Sequence, residues 1–87
     1  MEIIYTLEYT KRAVQDIKKL KAAKLGDKGI KLCEALVTNP MPLHSKELHY
    51  NLKGQRAIRI NLKHRLIYQV LEEQKIVKIL SMWGHYE

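Results

Sequence analysis

Two short runs of alternating residues constrain this chain more than anything else in it. Arg56-Ala57-Ile58-Arg59-Ile60-Asn61 sets basic or polar residues against isoleucine at period two. Arg65-Leu66-Ile67-Tyr68-Gln69-Val70 follows after the short polar link Leu62-Lys63-His64. Period two marks a strand, so the stretch from Glu47 to Val70 reads as two consecutive strands at the heart of a sheet. Side chains alternate along a strand, so Leu66, Tyr68 and Val70 share one face and Arg65, Ile67 and Gln69 the other. If Ile58 and Ile60 face the core with Leu66, Tyr68 and Val70, then Arg59 and Arg65 emerge together on the opposite face. Two arginines on an open sheet face are a candidate anion site.

The rest of the chain supplies what holds that face up. Glu2 to Leu7 alternates and is β-branched, and reads as a first strand. Thr10 can cap the helix that follows, in which Ala13, Val14, Ile17 and Leu20 recur at helical spacing while Lys18, Lys19 and Lys21 lie off the stripe. Gly26-Asp27 breaks the run, and Asp27 can cap a second helix striped with Ile30, Cys33, Leu36 and Val37. Asn39-Pro40 ends it, because proline disfavours helix in the residue before it. Met41 to Lys46 is a loop containing His44, Glu47 to Leu52 is partly extended, and Lys53-Gly54 is a turn. Glu72 to Lys75 is a polar hairpin loop. Ile76 to Trp83 is a last strand whose register is ambiguous, since apolar residues occupy both its faces. The expected order is β-α-α-β-β-β: an α+β fold with a mostly antiparallel sheet covered on one face by a helical hairpin.

Eighty-seven residues suit a single domain spanning 1–87 with one core. Sixteen Lys and Arg against nine Asp and Glu give a net charge of +7, which favours a polyanionic partner, either nucleic acid or an acidic protein. One cysteine, Cys33, excludes an intrachain disulfide and a cysteine metal cluster, and its place in a helical stripe marks it as a buried hydrophobe. The start of the chain lacks a signal-peptide pattern, and no stretch approaches the ~20 apolar residues of a membrane span, so a cytoplasmic protein with no membrane partner is expected.

There is no Gly-rich phosphate loop, no His-Glu-x-x-His and no nucleophile elbow. The four histidines at 44, 49, 64 and 85 lack zinc spacing, so no metal or other cofactor is expected. What remains is acid/base machinery: Glu47, His49, Arg59, His64, Arg65, His85 and Tyr86. Cleaving RNA without a metal needs a base for the 2′-hydroxyl, a cation for the charge that builds on phosphorus, and an acid for the departing 5′-oxygen. Glu47 or a histidine fits the first task, Arg65 the second and His85 the third. Many basic domains carry such residues, and Arg65 could equally pair with Glu72 or Glu73.

Asn61 to Val70 and the ending Ser81-Met82-Trp83-Gly84-His85-Tyr86-Glu87 resemble the Txe/YoeB family of toxins within the RelE/ParE superfamily. The likeness extends to Tyr9–Val14, Leu20–Leu25 and Asn39-Pro40, and so covers almost the whole chain. It implies the toxin of a type II toxin–antitoxin system: a metal-independent, ribosome-dependent mRNA endoribonuclease that inhibits translation. The 2′-hydroxyl would attack to leave a 2′,3′-cyclic phosphate. By resemblance the catalytic arginine falls on Arg65 and the catalytic C-terminal histidine on His85, followed by the family's tyrosine at Tyr86, while a second arginine falls on Arg59. The family's catalytic glutamate aligns without a gap at Lys46, and Glu47 one residue later is the nominated base. A charge missing from the family's Ser-Arg-Arg, here Ala57-Ile58-Arg59, can be replaced by Arg56. Tyr86 could stack on a base or pack over the sheet edge. His64 could touch RNA or hold a turn, and His49 could flank the RNA or face solvent.

The resemblance implies as partners the ribosome, mRNA and a cognate antitoxin, acidic and of the YefM/Axe kind, and it leaves a homodimer open. Two rivals use the same fold. One is a non-enzymatic ParE-like toxin that binds DNA gyrase, against which His85-Tyr86 argues. The other is a degenerate toxin that only binds its antitoxin.

Overall fold

A computed structural model describes residues 4–48 and 54–84. The elements are β1 (Thr6–Tyr9), α1 (Lys11–Ala22), α2 (Gly26–Ala35), β2 (Lys46–Glu47), β3 (Gln55–Arg59), β4 (Arg65–Leu71) and β5 (Ile76–Ser81). They build one sheet in the order β1-β5-β4-β3-β2, with β1 parallel to β5 and every other pair antiparallel. The α+β class and the mostly antiparallel sheet are as expected, with the partly extended stretch after the loop contributing a two-residue edge strand. A parallel neighbour needs a long crossover, and the helical hairpin begins that crossover.

The first strand runs Thr6–Tyr9, past the expected end at Leu7, while Glu2 and Ile3 of the expected strand lie outside the described residues. Its bounds follow from its partner, since Thr6 sits opposite Ile76 and Tyr9 opposite Ile79, while the Tyr5 amide bonds the Val37 carbonyl just past α2. Thr10 caps α1 as expected, accepting the Ala13 amide at 3.0 Å, and its hydroxyl also donates to the Leu80 carbonyl at 2.9 Å. One residue therefore starts the helix and ties it to the neighbouring strand. The buried stripe of α1 is Ala13, Asp16 and Leu20, with Val14 left exposed. Asp27 does not cap α2; Leu25 holds that position without a side-chain bond. The link is tight because Lys24 adopts the left-handed conformation, φ 63°. Gly29 permits the close approach behind it: a Cβ there would stand 3.0 Å from both Leu20 and Met82.

Ile58, Ile60, Leu66, Tyr68 and Val70 all enter the core with Val77, Ile79 and Met82, facing Ala13, Leu20, Cys33 and Leu36 of the helices and the turn after α2. Each large aliphatic side chain so buried contributes about 1.5–3 kcal/mol. The Tyr68 hydroxyl donates to the Pro40 carbonyl at 2.7 Å, which pins the loop after α2 to the middle of the sheet. The ambiguous last strand is explained by a bulge. Ile67 pairs with Ser81 but Tyr68 with Ile79, leaving Leu80 as the extra residue. The bulge switches the alternation, so Val77 and Ile79 point inward before it and Met82 after it. Among the described residues no helix is long and apolar enough to cross a membrane.

Candidate active site

Strand register places the charged side chains. Arg59 and Arg65 are direct partners across β3 and β4, on the face opposite Ile58, Leu66 and the helices. Arg59 is exposed and Arg65 half-exposed. Like charges set directly opposite each other oppose folding, so the pair is kept at a cost that an anion would relieve. Among the described residues neither guanidinium has a carboxylate partner: the ion pairs are Arg12–Asp16 and Lys75–Glu72. Glu72 is engaged with Tyr5 and Lys75 instead.

The pair opens into a hollow of about 360 Å³ whose rim is formed by His44, Lys46, Glu47, Leu48, Ala57, Arg59 and Arg65. Lys46 sits opposite Ala57 and Glu47 opposite Arg56. Directly opposed residues share a face, so Lys46 lies on the side of Ala57, Arg59 and Arg65. Glu47 lies on the side of Arg56 and also borders a second hollow with Met41, Arg56 and Glu72. Sequence reading passed over His44 and Lys46 as site residues. Alternation counted back from Leu48 reaches Lys46, whereas His44 lies in the turn before β2, where no local pattern marks a site.

Arg56, expected to replace the missing charge, lies on the other face of β3 from Arg59. It is half-buried on the helix side, where its Nε donates to the Ser45 hydroxyl at 2.9 Å and Nη2 lies 3.5 Å from the Ser45 carbonyl oxygen. Ser45 in turn donates to the Pro42 carbonyl at 2.7 Å. Arg56 thus shapes the loop that carries His44, from the face of β3 opposite Arg59.

His64 is likewise turned inward. The link between β3 and β4 is shaped by Asn61, whose side-chain oxygen accepts the amides of Lys63 and His64, both at 2.8 Å. That turn buries His64, and its ring stacks on Trp83 with centroids 3.9 Å apart. Its Nδ1 accepts the Gly84 amide at 2.9 Å, so Nδ1 carries no proton and the neutral ring is protonated on Nε2. Of the two roles open to this residue, the turn-holding one matches the contacts it makes. Gly84, at φ 91°, also accepts the Arg65 amide through its carbonyl at 3.1 Å. The Met82 amide donates to the buried Asp16 carboxylate at 3.0 Å. His49, His85 and Tyr86 lie outside the described residues.

Cys33 is fully buried and its thiol is pushed up to about 11, mainly by burial. It is no nucleophile at neutral pH.

A family model described as the ParE toxin of the type II toxin–antitoxin system parDE matches residues 7–87, and the chain belongs to that family. Solved structures agree. A YoeB dimer from Staphylococcus aureus is similar at 28% identity and TM-score 0.78, covering 94% of this chain and 98% of that one. The RelBE2 toxin–antitoxin complex from Mycobacterium tuberculosis matches at 25% identity and TM-score 0.77, covering 95% and 100%. A YoeB/ParE toxin from Agrobacterium tumefaciens shares the fold at TM-score 0.81 and 21% identity, covering 93% and 99%. No match was found among curated protein sequences. The protein is therefore a type II toxin of the RelE/ParE superfamily, YoeB-like in structure.

Proposed function

We propose that this toxin is a ribosome-dependent mRNA endoribonuclease that works without a metal. Arg59 and Arg65 hold the scissile phosphate in the hollow, the edge segment His44–Leu48 supplies the base, and His85 near the chain end supplies the acid. The observation that carries this reading is the cross-strand arginine pair, placed on one hollow with neither guanidinium in an ion pair among the described residues. Such a pair is suited to charge developing on a phosphorane, because its donors are fixed before reaction. The excess of basic residues supports a polyanionic target, and the same charge suits an acidic antitoxin that neutralises the toxin by covering this face.

The match to the ParE model favours a second reading: a toxin that binds DNA gyrase and catalyses nothing. Primer extension on a reporter mRNA, with and without translating ribosomes, separates the two when run beside a gyrase supercoiling assay. Discrete cuts that need ribosomes are expected. Inhibited supercoiling without cuts would establish the second reading, and neither effect would leave a chain that only binds its antitoxin.

A further inference from the structure

We propose that His44 is the general base. The inference rests on the nuclease reading and names the residue which that reading leaves open. Three side chains on the edge segment could take a proton: His44, Lys46 and Glu47. Their places in the sheet differ. Lys46 pairs with Ala57 and Glu47 with Arg56, and the Leu48 amide bonds the Gln55 carbonyl at 3.0 Å, which continues the same antiparallel count. His44 lines one hollow with Arg59 and with Arg65, the partner of Arg59 across β3 and β4. The Gly84 carbonyl accepts the Arg65 amide. In the sequence Gly84 is followed by His85. A phosphate held between the arginines in that hollow lies beside the His44 imidazole on its rim.

Chemistry selects among the three. A lysine ammonium has donors only and no lone pair to give. Glu47 stands on the Arg56 side of the strand. An imidazole offers a lone pair at neutral pH, and His44 is exposed and lines the hollow. The charged groups around the same hollow are Lys46 and Glu47 from its own segment, Arg59 from β3 and Arg65 from β4. Toward the helices its neighbours are Leu32, Ala35, Leu36 and Asn39, none of which titrates.

In the reaction the His44 lone pair takes the 2′-hydroxyl proton and the 2′-oxygen forms a bond to phosphorus. The bond from phosphorus to the 5′-oxygen breaks, and that oxygen leaves with a proton from the chain-end imidazolium. The products are a 2′,3′-cyclic phosphate and a 5′-hydroxyl. One histidine ends protonated and the other deprotonated, and exchange with solvent restores both.

The test is single-turnover cleavage of ribosome-bound mRNA by the full chain, measured across pH for wild type, His44→Gln, Glu47→Gln and Arg65→Ala. The expected result is a loss of about 10²–10⁴-fold in His44→Gln, the range a general base supplies. The acidic limb of the wild-type pH profile should vanish with it, and Glu47→Gln should not reproduce either effect. Thermal unfolding of His44→Gln and His44→Ala checks the fold, and the acidic limb is read on whichever melts like wild type. If Arg65→Ala is dead while His44→Gln cleaves within about threefold of wild type, or keeps the limb, His44 is not the base and the nuclease reading stands. If wild type itself does not cleave, the nuclease reading falls and takes this inference with it.

Discussion

The Gly84 amide donates to Nδ1 of His64 at 2.9 Å, and the Gly84 carbonyl accepts from the residue next to that histidine, Arg65, at 3.1 Å. Both polar groups of one backbone residue are thus fixed to the start of β4, directly before His85 in sequence. His64→Phe keeps a ring to stack on Trp83 but removes the acceptor. It should cost about 1–2 kcal/mol of stability through the orphaned amide and lower cleavage by more than stability explains. His64→Asn restores an acceptor near the Nδ1 position and should recover most of the protection of the Gly84 amide from hydrogen exchange. Equal exchange at Gly84 in wild type and His64→Phe would show that the bond does not form in solution.

Cys33 gives the stability a pH dependence of definite sign. Burial raises its thiol to about 11, against a slight opposing effect from the Tyr9 hydrogen bond. An unfolded thiol ionises near 8.5, so between that value and 11 the unfolded state binds fewer protons than the native one, and stability falls as pH rises. The contribution is whole below the unfolded value and lost progressively above it. Denaturant titrations at pH 8 and pH 10 should show wild type losing about 1–2 kcal/mol more than Cys33→Ala over that interval. Tyr9, raised to about 12, titrates largely beyond this window. Parallel losses in the two proteins would mean that the thiol is not held protonated by the fold.

Much of this architecture was legible in the sequence because two periodicities carry it. The alternation through Ile58, Ile60, Leu66, Tyr68 and Val70 fixed which face is core, and with it the side on which Arg59 and Arg65 emerge. Thr10 was legible as a cap because its hydroxyl acts locally. The failures share one cause: distant contacts that no local pattern encodes. Arg56 alternates correctly yet is spent on Ser45. His64 sits in a polar link yet is buried by Trp83 and Gly84, residues some twenty positions away. Asp16 falls within an apolar helical stripe because Met82 presents it an amide. The bulge at Leu80 defeated alternation outright, since one extra residue reverses every face beyond it. At Glu47 a single-residue difference in register decides which side of the sheet a carboxylate occupies.

Asp16 offers a sharp test of the same end of the molecule. Its carboxylate is buried beneath α1 and accepts the Met82 amide at 3.0 Å, with the exposed Arg12 guanidinium 3.8 Å away. Asp16→Asn keeps an oxygen for that amide and should cost about 1 kcal/mol or less. Asp16→Leu strands a buried donor and should cost about 2–3 kcal/mol. Arg12→Ala should be nearly silent, because an exposed partner at that separation contributes little. Urea melts of the three variants measure the order. A penalty in Arg12→Ala equal to that in Asp16→Leu would assign the carboxylate to the ion pair rather than to the strand end.

The facing arginines make opposite predictions for stability and for function. Arg59 and Arg65 repel across β3 and β4, so Arg59→Ala or Arg65→Ala should leave the fold as stable as wild type, or more stable by up to about 0.5 kcal/mol. Added salt should raise the wild-type melting temperature more than that of either variant, since it screens a repulsion the variants lack. The same substitutions should lower cleavage by about 10²–10³-fold, the effect of removing a preorganised donor to developing charge. Arg56→Ala should reverse the pattern. Arg56 holds Ser45 from the helix side, so its loss should destabilise by about 1 kcal/mol and affect cleavage only by loosening the loop that carries His44. Melting curves with and without salt, run beside the ribosomal cleavage assay, place each arginine on one side of this division. An Arg65→Ala protein that is both destabilised and active would show that the pair serves the fold and not an anion.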